Sequence, residues 1–147
     1  MAELSRTILI VEDNAGDVRL MHEALAARAG RGELHVLRNG EEAIAFLRRQ
    51  GQYVNAPQPD LIFLDLNMPR MNGMEVLRVI KTDRLLQTIP VVVWTSSAAE
   101  ADVIGSYQLH ANCFVSKPVE LEDFMLLIQS VEKFWLSVVT LPRRDLQ

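Results

Sequence analysis

The stretch LIFLDLNMPRMNG (Leu61–Gly73) is an apolar run that ends on an acidic residue and opens into a turn-rich loop. Similar runs recur along the chain, and their short length and β-branched content predict strands rather than helices. In several runs the apolar residues are consecutive, which is typical of a parallel sheet covered by helices on both faces. The predicted strands are Thr7–Val11, Glu33–Leu37, Leu61–Leu64, Val91–Trp94 and Cys113–Val115.

The segments between these runs carry apolar residues at helical spacing. Asn14 and Asn72 are candidate N-caps, and Gly30 and Gly51 are predicted to end the first two helices. Strands that alternate with helices predict a (βα)5 fold, a doubly wound α/β domain with a parallel five-stranded sheet. The predicted helices are Asn14–Ala29, Glu41–Gln50, Met74–Leu86, Ala99–Leu109 and Glu120–Val139, and Gln52–Pro59 is predicted to be an exposed loop.

The composition is that of one globular domain. The 147 residues carry 15 basic and 19 acidic side chains, a net charge of −4, and 49% of the residues are hydrophobic. The acidic balance argues against nucleic-acid binding, and the longest apolar run, Phe124–Ile128, is far shorter than the ~20 residues of a membrane span. A single cysteine, Cys113, and an N-terminus without a signal-peptide pattern predict a cytoplasmic protein.

Polar residues follow most of the predicted strands where each strand ends. Glu12 and Asp13 follow the first strand, Asp65 the third, Thr95 the fourth and Lys117 the fifth. The carboxyl ends of parallel strands meet at one sheet edge, where ligands bind in open α/β proteins. Clustered carboxylates repel, and Mg²⁺, which prefers oxygen ligands, would relieve that repulsion. Carboxylates, a hydroxyl and a lysine are also the groups that phosphoryl transfer needs.

In four sequence blocks around these residues, the chain resembles the receiver domains of two-component response regulators, from about Thr7 to about Ile128. The resemblance implies a flavodoxin-like receiver fold. It also implies a phosphoacceptor signalling protein that catalyses only its own phosphorylation and dephosphorylation. The blocks that carry it are VEDN (Val11–Asn14), LIFLDLNMPRMNG (Leu61–Gly73), VVVWTSS (Val91–Ser97) and FVSKP (Phe114–Pro118).

The resemblance implies roles for residues in the first two blocks, VEDN and LIFLDLNMPRMNG. Asp65 would accept a phosphoryl group from a sensor histidine kinase. Asp13 and Asp65 would bind Mg²⁺ directly, and Glu12 would act mainly through water. Asn67, two residues past Asp65, would contribute its backbone carbonyl to the metal.

The last two blocks imply the phosphoryl contacts and a switch. Thr95 would donate to one phosphoryl oxygen, and Lys117 would pair with another. The Lys117–Pro118 bond is expected to be cis, as is usual in the family. Thr95 and Phe114 would form the switch pair, with phenylalanine in place of the commoner tyrosine. Their movement would change the surface of the fourth helix, fifth strand and fifth helix.

Two other functions use similar parts. A haloacid-dehalogenase-like phosphatase also has a strand-end aspartate and magnesium, but it would place a second acid two residues later, where this chain has Asn67. A flavodoxin-like nucleotide binder would have a glycine-rich phosphate loop after the first strand. Here the segment Glu12–Gly16 would repel phosphate without a metal.

The predicted fifth helix has two apolar lines, although a surface helix needs only one. Leu127, Val131 and Phe134, with Trp135, are predicted to form a homodimer interface. The alternative is a wide core face partly covered by the tail, residues 140–147. The predicted core stripe is Leu121, Phe124, Met125, Ile128, Trp135 and Val138.

The pattern from Phe134 to Pro142 resembles the small receivers paired with phytochrome-type histidine kinases. That resemblance implies a light-sensing, bacteriophytochrome-type kinase as the phosphoryl donor. Residues 1–147 are expected to form a single receiver domain with an extended C-terminal helix, a short tail and no output domain. Output would then occur through protein contact, dimer switching or phosphorelay, without nucleic acid or membrane as partners.

Overall fold

The computed structural model describes residues 6–26, 32–97 and 99–142. The strands in these ranges are β1 (Ile8–Val11), β2 (Leu34–Leu37), β3 (Leu61–Leu64), β4 (Val91–Thr95) and β5 (Cys113–Ser116). They form one parallel sheet in the order β2-β1-β3-β4-β5. The order reverses direction next to β1, which is the topology of a doubly wound sheet.

Helices connect the strands in the described ranges and confirm the predicted (βα)5 fold. They are α1 (Ala15–Ala26), α2 (Gly40–Leu47), α3 (Gly73–Thr82), α4 (Glu100–Gln108) and α5 (Leu121–Lys133). A short 3₁₀ helix, Gly51–Tyr53, follows α2, and a π-helical segment, Phe134–Val138, continues α5. None of the described helices has the length and apolar content needed to cross a bilayer.

The two predicted N-caps are confirmed, but several helix ends differ. The side chains of Asn14 and Asn72 accept hydrogen bonds from backbone N–H groups in the first turns of α1 and α3. Gly51 does not end α2, because that helix stops at Leu47 and Gly51 begins the 3₁₀ turn. The predicted end of α3 at Leu86 is also wrong, since the helix ends at Thr82. Gly30 lies outside the described residues.

The core consists of two layers, one on each face of the sheet. In β1, Leu9 and Val11 face the layer of α2 and α3, whereas Ile8 and Ile10 face the layer of α1 and α5. Alternate residues of β3 and β4 divide between the layers in the same way. Because both faces are buried, every residue of these strands is apolar except Thr95 at the end of β4.

α5 packs on the sheet by a narrower stripe than the sequence predicts. Phe124 and Ile128 are buried, but Leu121 is 57% exposed and Val138 is 66% exposed. Leu121 begins the helix one turn before its first buried residue. Val138 is the last residue of the wider π-helical segment, which changes the angular register of the residues after Lys133.

The predicted dimer interface does not form one exposed patch. Leu127, Val131 and Trp135 pack partly buried against the core layer of α1 and α5. Phe134 is 49% exposed, and Leu126, eight residues earlier, is 62% exposed. Of the predicted interface residues, only Phe134 is therefore among the exposed large apolar side chains, and it is accompanied by Leu126, which the prediction did not include.

Candidate functional site

The carboxyl ends of β1, β3, β4 and β5 bring the predicted site residues together. Backbone hydrogen bonds continue beyond the strands, so these residues have defined positions. The N–H of Asp65 donates to the carbonyl of Val11 at 3.0 Å, and the N–H of Lys117 donates to the carbonyl of Thr95 at 2.8 Å. The site is thus built on the rigid edge of the sheet.

Three carboxylates form the centre of this edge. Glu12, Asp13 and Asp65 each offer an oxygen atom within 4.8 Å of the others. Glu12 and Asp65 are buried, and Asp13 is more open to solvent. An all-oxygen cluster of this charge, open on one side, fits a hard divalent cation that keeps some of its water.

Lys117 neutralises part of this negative charge. Its Nζ donates to Glu12 Oε1, to Asp17 Oδ2 at 2.8 Å and to Asp65 Oδ2 at 3.2 Å. The lysine side chain is only 7% exposed. Sequence reasoning did not identify Asp17. The available signal was its place three residues after the candidate N-cap Asn14, which puts it in the first helical turn beside the strand-end acids.

The pKa values of Glu12 and Asp65 are shifted in opposite directions. Burial, together with the neighbouring Asp65, raises the pKa of Glu12 to about 7 despite the lysine. Burial alone would also raise the pKa of Asp65, but hydrogen bonding with Glu12 and the charge of Lys117 outweigh it and lower this pKa. Of Glu12 and Asp65, Asp65 is therefore the one that stays ionised, which suits a nucleophile.

The pKa of Lys117 is raised. Its burial acts in the opposite direction, but the hydrogen bonds to Asp17 and Glu12 are stronger in effect. The lysine therefore remains a cation at neutral pH.

The loop after Asp65 folds back over the site. The N–H of Asn67 donates to Asp65 Oδ1 at 3.2 Å, and its side-chain amide donates to Thr95 Oγ1 at 3.3 Å. At the end of the loop, a Cβ on Gly73 would lie 2.2 Å from the carbonyl oxygen of Asp65. Only glycine allows this close return of the chain.

The predicted switch residues share one face of the sheet. Thr95 is fully buried, and side-chain alternation places it on the same face as Val93. Phe114 is paired in register with Val93, so it is a diagonal neighbour of Thr95 on that face. Phe114 is partly buried against the layer of α2 and α3.

The Lys117–Pro118 bond is trans, and the expectation of a cis bond is wrong for this structure. Trans is favoured by about 0.5–1 kcal/mol before proline, and a cis bond needs surroundings that overcome this preference. Here Lys117 reaches all three of its carboxylate partners with the trans bond in place.

A parallel α/β sheet whose strand ends combine a carboxylate cluster, a hydroxyl and a buried lysine is the architecture of a phosphoacceptor signalling domain. The family model described as the response regulator receiver domain matches residues 8–129, and the chain belongs to this family. Membership confirms the resemblance and leaves the phosphatase and nucleotide-binder alternatives without support.

Known relatives match almost the whole chain. Response regulator Rcp1 of Synechocystis sp. is 50% identical over 137 residues, which cover 93% of each protein. The phosphorylated cyanobacterial phytochrome response regulator RcpA superposes with a TM-score of 0.92 at 47% identity, covering 95% of this chain and 99% of that one. The Mn²⁺-bound form of Rcp1 gives a TM-score of 0.90 at 49% identity, covering 94% and 99%. The chain is thus a phosphoryl-accepting response regulator with a divalent-metal site.

Proposed function

We propose that Asp65 accepts a phosphoryl group from a sensor histidine kinase in a Mg²⁺-dependent reaction. The observation that carries this proposal is the position of the Asp65 carboxylate. It lies inside the cluster of oxygen atoms and only 3.2 Å from the ammonium of Lys117. It is also the carboxylate whose pKa is lowered, so that it is ionised when the donor arrives.

The transfer is a displacement at phosphorus. A carboxylate oxygen of Asp65 attacks the phosphorus of a phosphohistidine, and the P–O bond forms as the P–N bond breaks. The bonding electron pair leaves with the imidazole, which takes up a proton, and the product is an acyl phosphate. Acetyl phosphate would serve as a small-molecule donor in the same reaction, with acetate as the leaving group.

Side chains around Asp65 receive the transferred group. Lys117 would donate to one phosphoryl oxygen and the Thr95 hydroxyl to another. Bound Mg²⁺ would supply neutralising charge between the carboxylates and the phosphoryl oxygens. Its ligands would be Asp13, Asp65 and the backbone carbonyl of Asn67, with Glu12 acting mainly through water.

Replacing Asp65 with asparagine tests this assignment. Asp65→Asn keeps the size of the side chain but removes the nucleophile, so acid-labile labelling by a cognate kinase or by acetyl phosphate should disappear. Asp123→Asn, an equal change at an exposed position of α5, should label like the wild type. Retained labelling of Asp65→Asn would place the phosphoryl group on another residue.

The phosphoryl group would act on the surface of α4, β5 and α5 through Thr95 and Phe114. Movement of Thr95 toward the phosphoryl group would vacate space on the face that it shares with Phe114. The resulting population shift is the signal that a partner reads or that a phosphorelay passes on.

The kinase is proposed to be of the phytochrome type, in the cytoplasm, where the free thiol of Cys113 stays reduced. Support comes from the 47% identity to a cyanobacterial phytochrome response regulator over 95% of this chain. Purified kinases of the same organism should phosphorylate the protein at different rates, with the phytochrome-type kinase fastest and dependent on light. Preferential labelling by an unrelated kinase would reject this partner.

A homodimer through α5 is the second part of the proposal. Leu126 and Phe134 give that helix an exposed apolar line on its outer surface. Light scattering after size exclusion should show a dimer for the wild type and a monomer for Phe134→Asp. Val54→Asp, which charges an even more exposed apolar residue after α2, should leave the dimer intact. A wild-type monomer at every concentration would remove this part of the proposal.

A further inference from the structure

The ammonium of Lys117 is held by three carboxylates from three different elements. Glu12 follows β1, Asp65 follows β3, and Asp17 lies in the first turn of α1. An ammonium has three N–H donors and accepts nothing. Each N–H of Lys117 therefore has one carboxylate partner. Once two of these N–H bonds are oriented by their partners, the tetrahedral geometry of the ammonium determines the direction of the third.

Asp17 differs from the other two partners because, among the described residues, its carboxylate contacts Lys117 without being part of the carboxylate cluster. Glu12 and Asp65 are also members of the carboxylate cluster that could hold a metal ion, whereas Asp17 is outside that cluster. A cation bound in the cluster would compete with Lys117 for the carboxylate oxygens of Glu12 and Asp65. It would not compete for the carboxylate of Asp17, which is outside the cluster.

The backbone of Asp17 is firmly placed. Its N–H donates to the capping side chain of Asn14 at 2.9 Å, which fixes it in the first helical turn. The side chain then extends to Lys117 Nζ at 2.8 Å and is 25% exposed. A rigid helix start thus presents a carboxylate to a long, flexible lysine side chain, which has four methylene groups to immobilise.

We propose that Asp17 is a positioning residue that directs the ammonium of Lys117 at the carboxylate of Asp65 and at the phosphoryl group formed there. This inference rests on the proposed role of Asp65. Asp17 is not a member of the carboxylate cluster that could hold a metal, and among the described residues its side-chain contact is with Lys117. It acts by limiting the orientations of Lys117, and misdirected catalytic groups are known to cost large factors in rate.

The test variant is Asp17→Asn, which keeps the shape of the side chain and removes its charge. We expect phosphorylation by acetyl phosphate and the affinity for beryllofluoride, a phosphoryl mimic, each to fall about tenfold. The affinity for Mg²⁺ alone should change by less than about threefold, because Asp17 is not a ligand and is partly exposed. Asp17→Glu should restore part of the loss.

Two controls separate positioning from a general effect of charge. Glu23→Gln removes one negative charge from the same helix at an exposed site beside Arg19, and it should behave like the wild type. In a Lys117→Ala background, Asp17→Asn should have no further effect on beryllofluoride binding, because the residue through which Asp17 acts is gone.

Several outcomes would overturn the inference. Beryllofluoride binding by Asp17→Asn that is unchanged or tighter would mean that Asp17 does not direct the lysine productively. An equal loss in the Lys117→Ala background would assign Asp17 a direct role. Failure of the wild type to bind beryllofluoride would instead reject the proposed function itself.

Discussion

The backbone N–H of Phe114 in β5 donates a hydrogen bond to the phenol oxygen of Tyr107 in α4, at 3.2 Å. β5 is an edge strand, and this bond gives one of its outward-facing N–H groups a partner. α4 buries only Ser106 fully, so this bond is a notable part of its attachment to the sheet. The position of the proposed switch residue and the position of α4 are therefore directly connected.

Removing the phenol oxygen should loosen this connection. In Tyr107→Phe, the amide of Phe114 should exchange with deuterium several times faster, at a stability loss of about 1 kcal/mol. Hydrogen exchange resolved by NMR would measure it. Tyr53→Phe, an equal change after α2, should leave the Phe114 amide unaffected. Unchanged exchange in Tyr107→Phe would show that the bond does not protect the strand edge.

Metal binding should depend on pH through Glu12. Its raised pKa, about 7, means that a proton must leave before the carboxylate can help hold a cation. Mg²⁺ affinity should therefore rise up to about tenfold per pH unit below pH 7 and level off above it, with proton release on binding. Calorimetry in buffers of different ionisation enthalpy would count the protons.

The same raised pKa makes the metal-free protein lose stability as pH rises. Glu12 contributes its stabilisation fully below its ordinary pKa of 4.5 and loses it as pH passes about 7. Both effects should be absent in Glu12→Gln, which cannot ionise. An identical pH slope of Mg²⁺ affinity in that variant would assign the proton to another of the groups around it, Asp13, Asp17, Asp65 or Lys117.

A methyl group at Gly73 should disturb the phosphoacceptor loop. The new Cβ would meet the backbone of Asp65 and Leu66 at 2.2–2.6 Å, and neither can move without displacing the site. Gly73→Ala should lower the free energy of unfolding by about 1–3 kcal/mol and slow phosphorylation by acetyl phosphate. Urea denaturation and labelling rates would measure the two effects.

Gly105→Ala is the matched comparison for this substitution. Within the part of the chain that the structure describes, its Cβ would meet the terminal methyl of Met74, which can rotate away. We expect it to label normally and to lose less stability. Equal effects at the two glycines would mean that the loop adapts to the methyl group.

Lys81 should be important for stability rather than for phosphoryl transfer. Its Nζ donates to the carbonyls of Gln87 and Ile89 and to the side chain of Asn112, at 2.9–3.1 Å, and so joins α3 to the turns before β4 and β5. Lys81→Met removes the ammonium donor from both carbonyls, while Asn112 Oδ1 keeps the N–H of Val91, and should destabilise the fold by about 1–3 kcal/mol. The exposed Lys133→Met should cost much less, and equal losses by urea denaturation would contradict the assignment.

The fold was predictable because strands buried on both faces leave consecutive apolar residues. Ile8 to Val11 divide alternately between the two core layers, so no position in β1 tolerates a polar side chain. The gathering of Glu12, Asp13, Asp65, Thr95 and Lys117 was also predictable, because parallel strands end at one edge.

Other features depend on angles and distances that residue types alone do not determine. Whether Asp17 reaches Lys117 depends on how α1 lies against the sheet. The isomer of the Lys117–Pro118 bond depends on whether contacts in the folded protein outweigh the intrinsic preference for trans, which is about 1 kcal/mol. The exposure of Val138 follows from a π turn, which a pattern of 3.6 residues per turn does not anticipate.

The distribution of indole rings between the two core layers has an optical consequence. Both tryptophans of the chain, Trp94 and Trp135, belong to the layer of α1 and α5, and Trp94 is packed edge-on between Phe63 and Phe124. Phe114 faces the opposite layer. Tryptophan fluorescence therefore reports on the layer of α1 and α5, on the face of the sheet opposite Phe114. A rearrangement confined to the Phe114 layer would leave the spectrum nearly unchanged, so an emission change upon phosphorylation would mean that the disturbance had crossed the sheet.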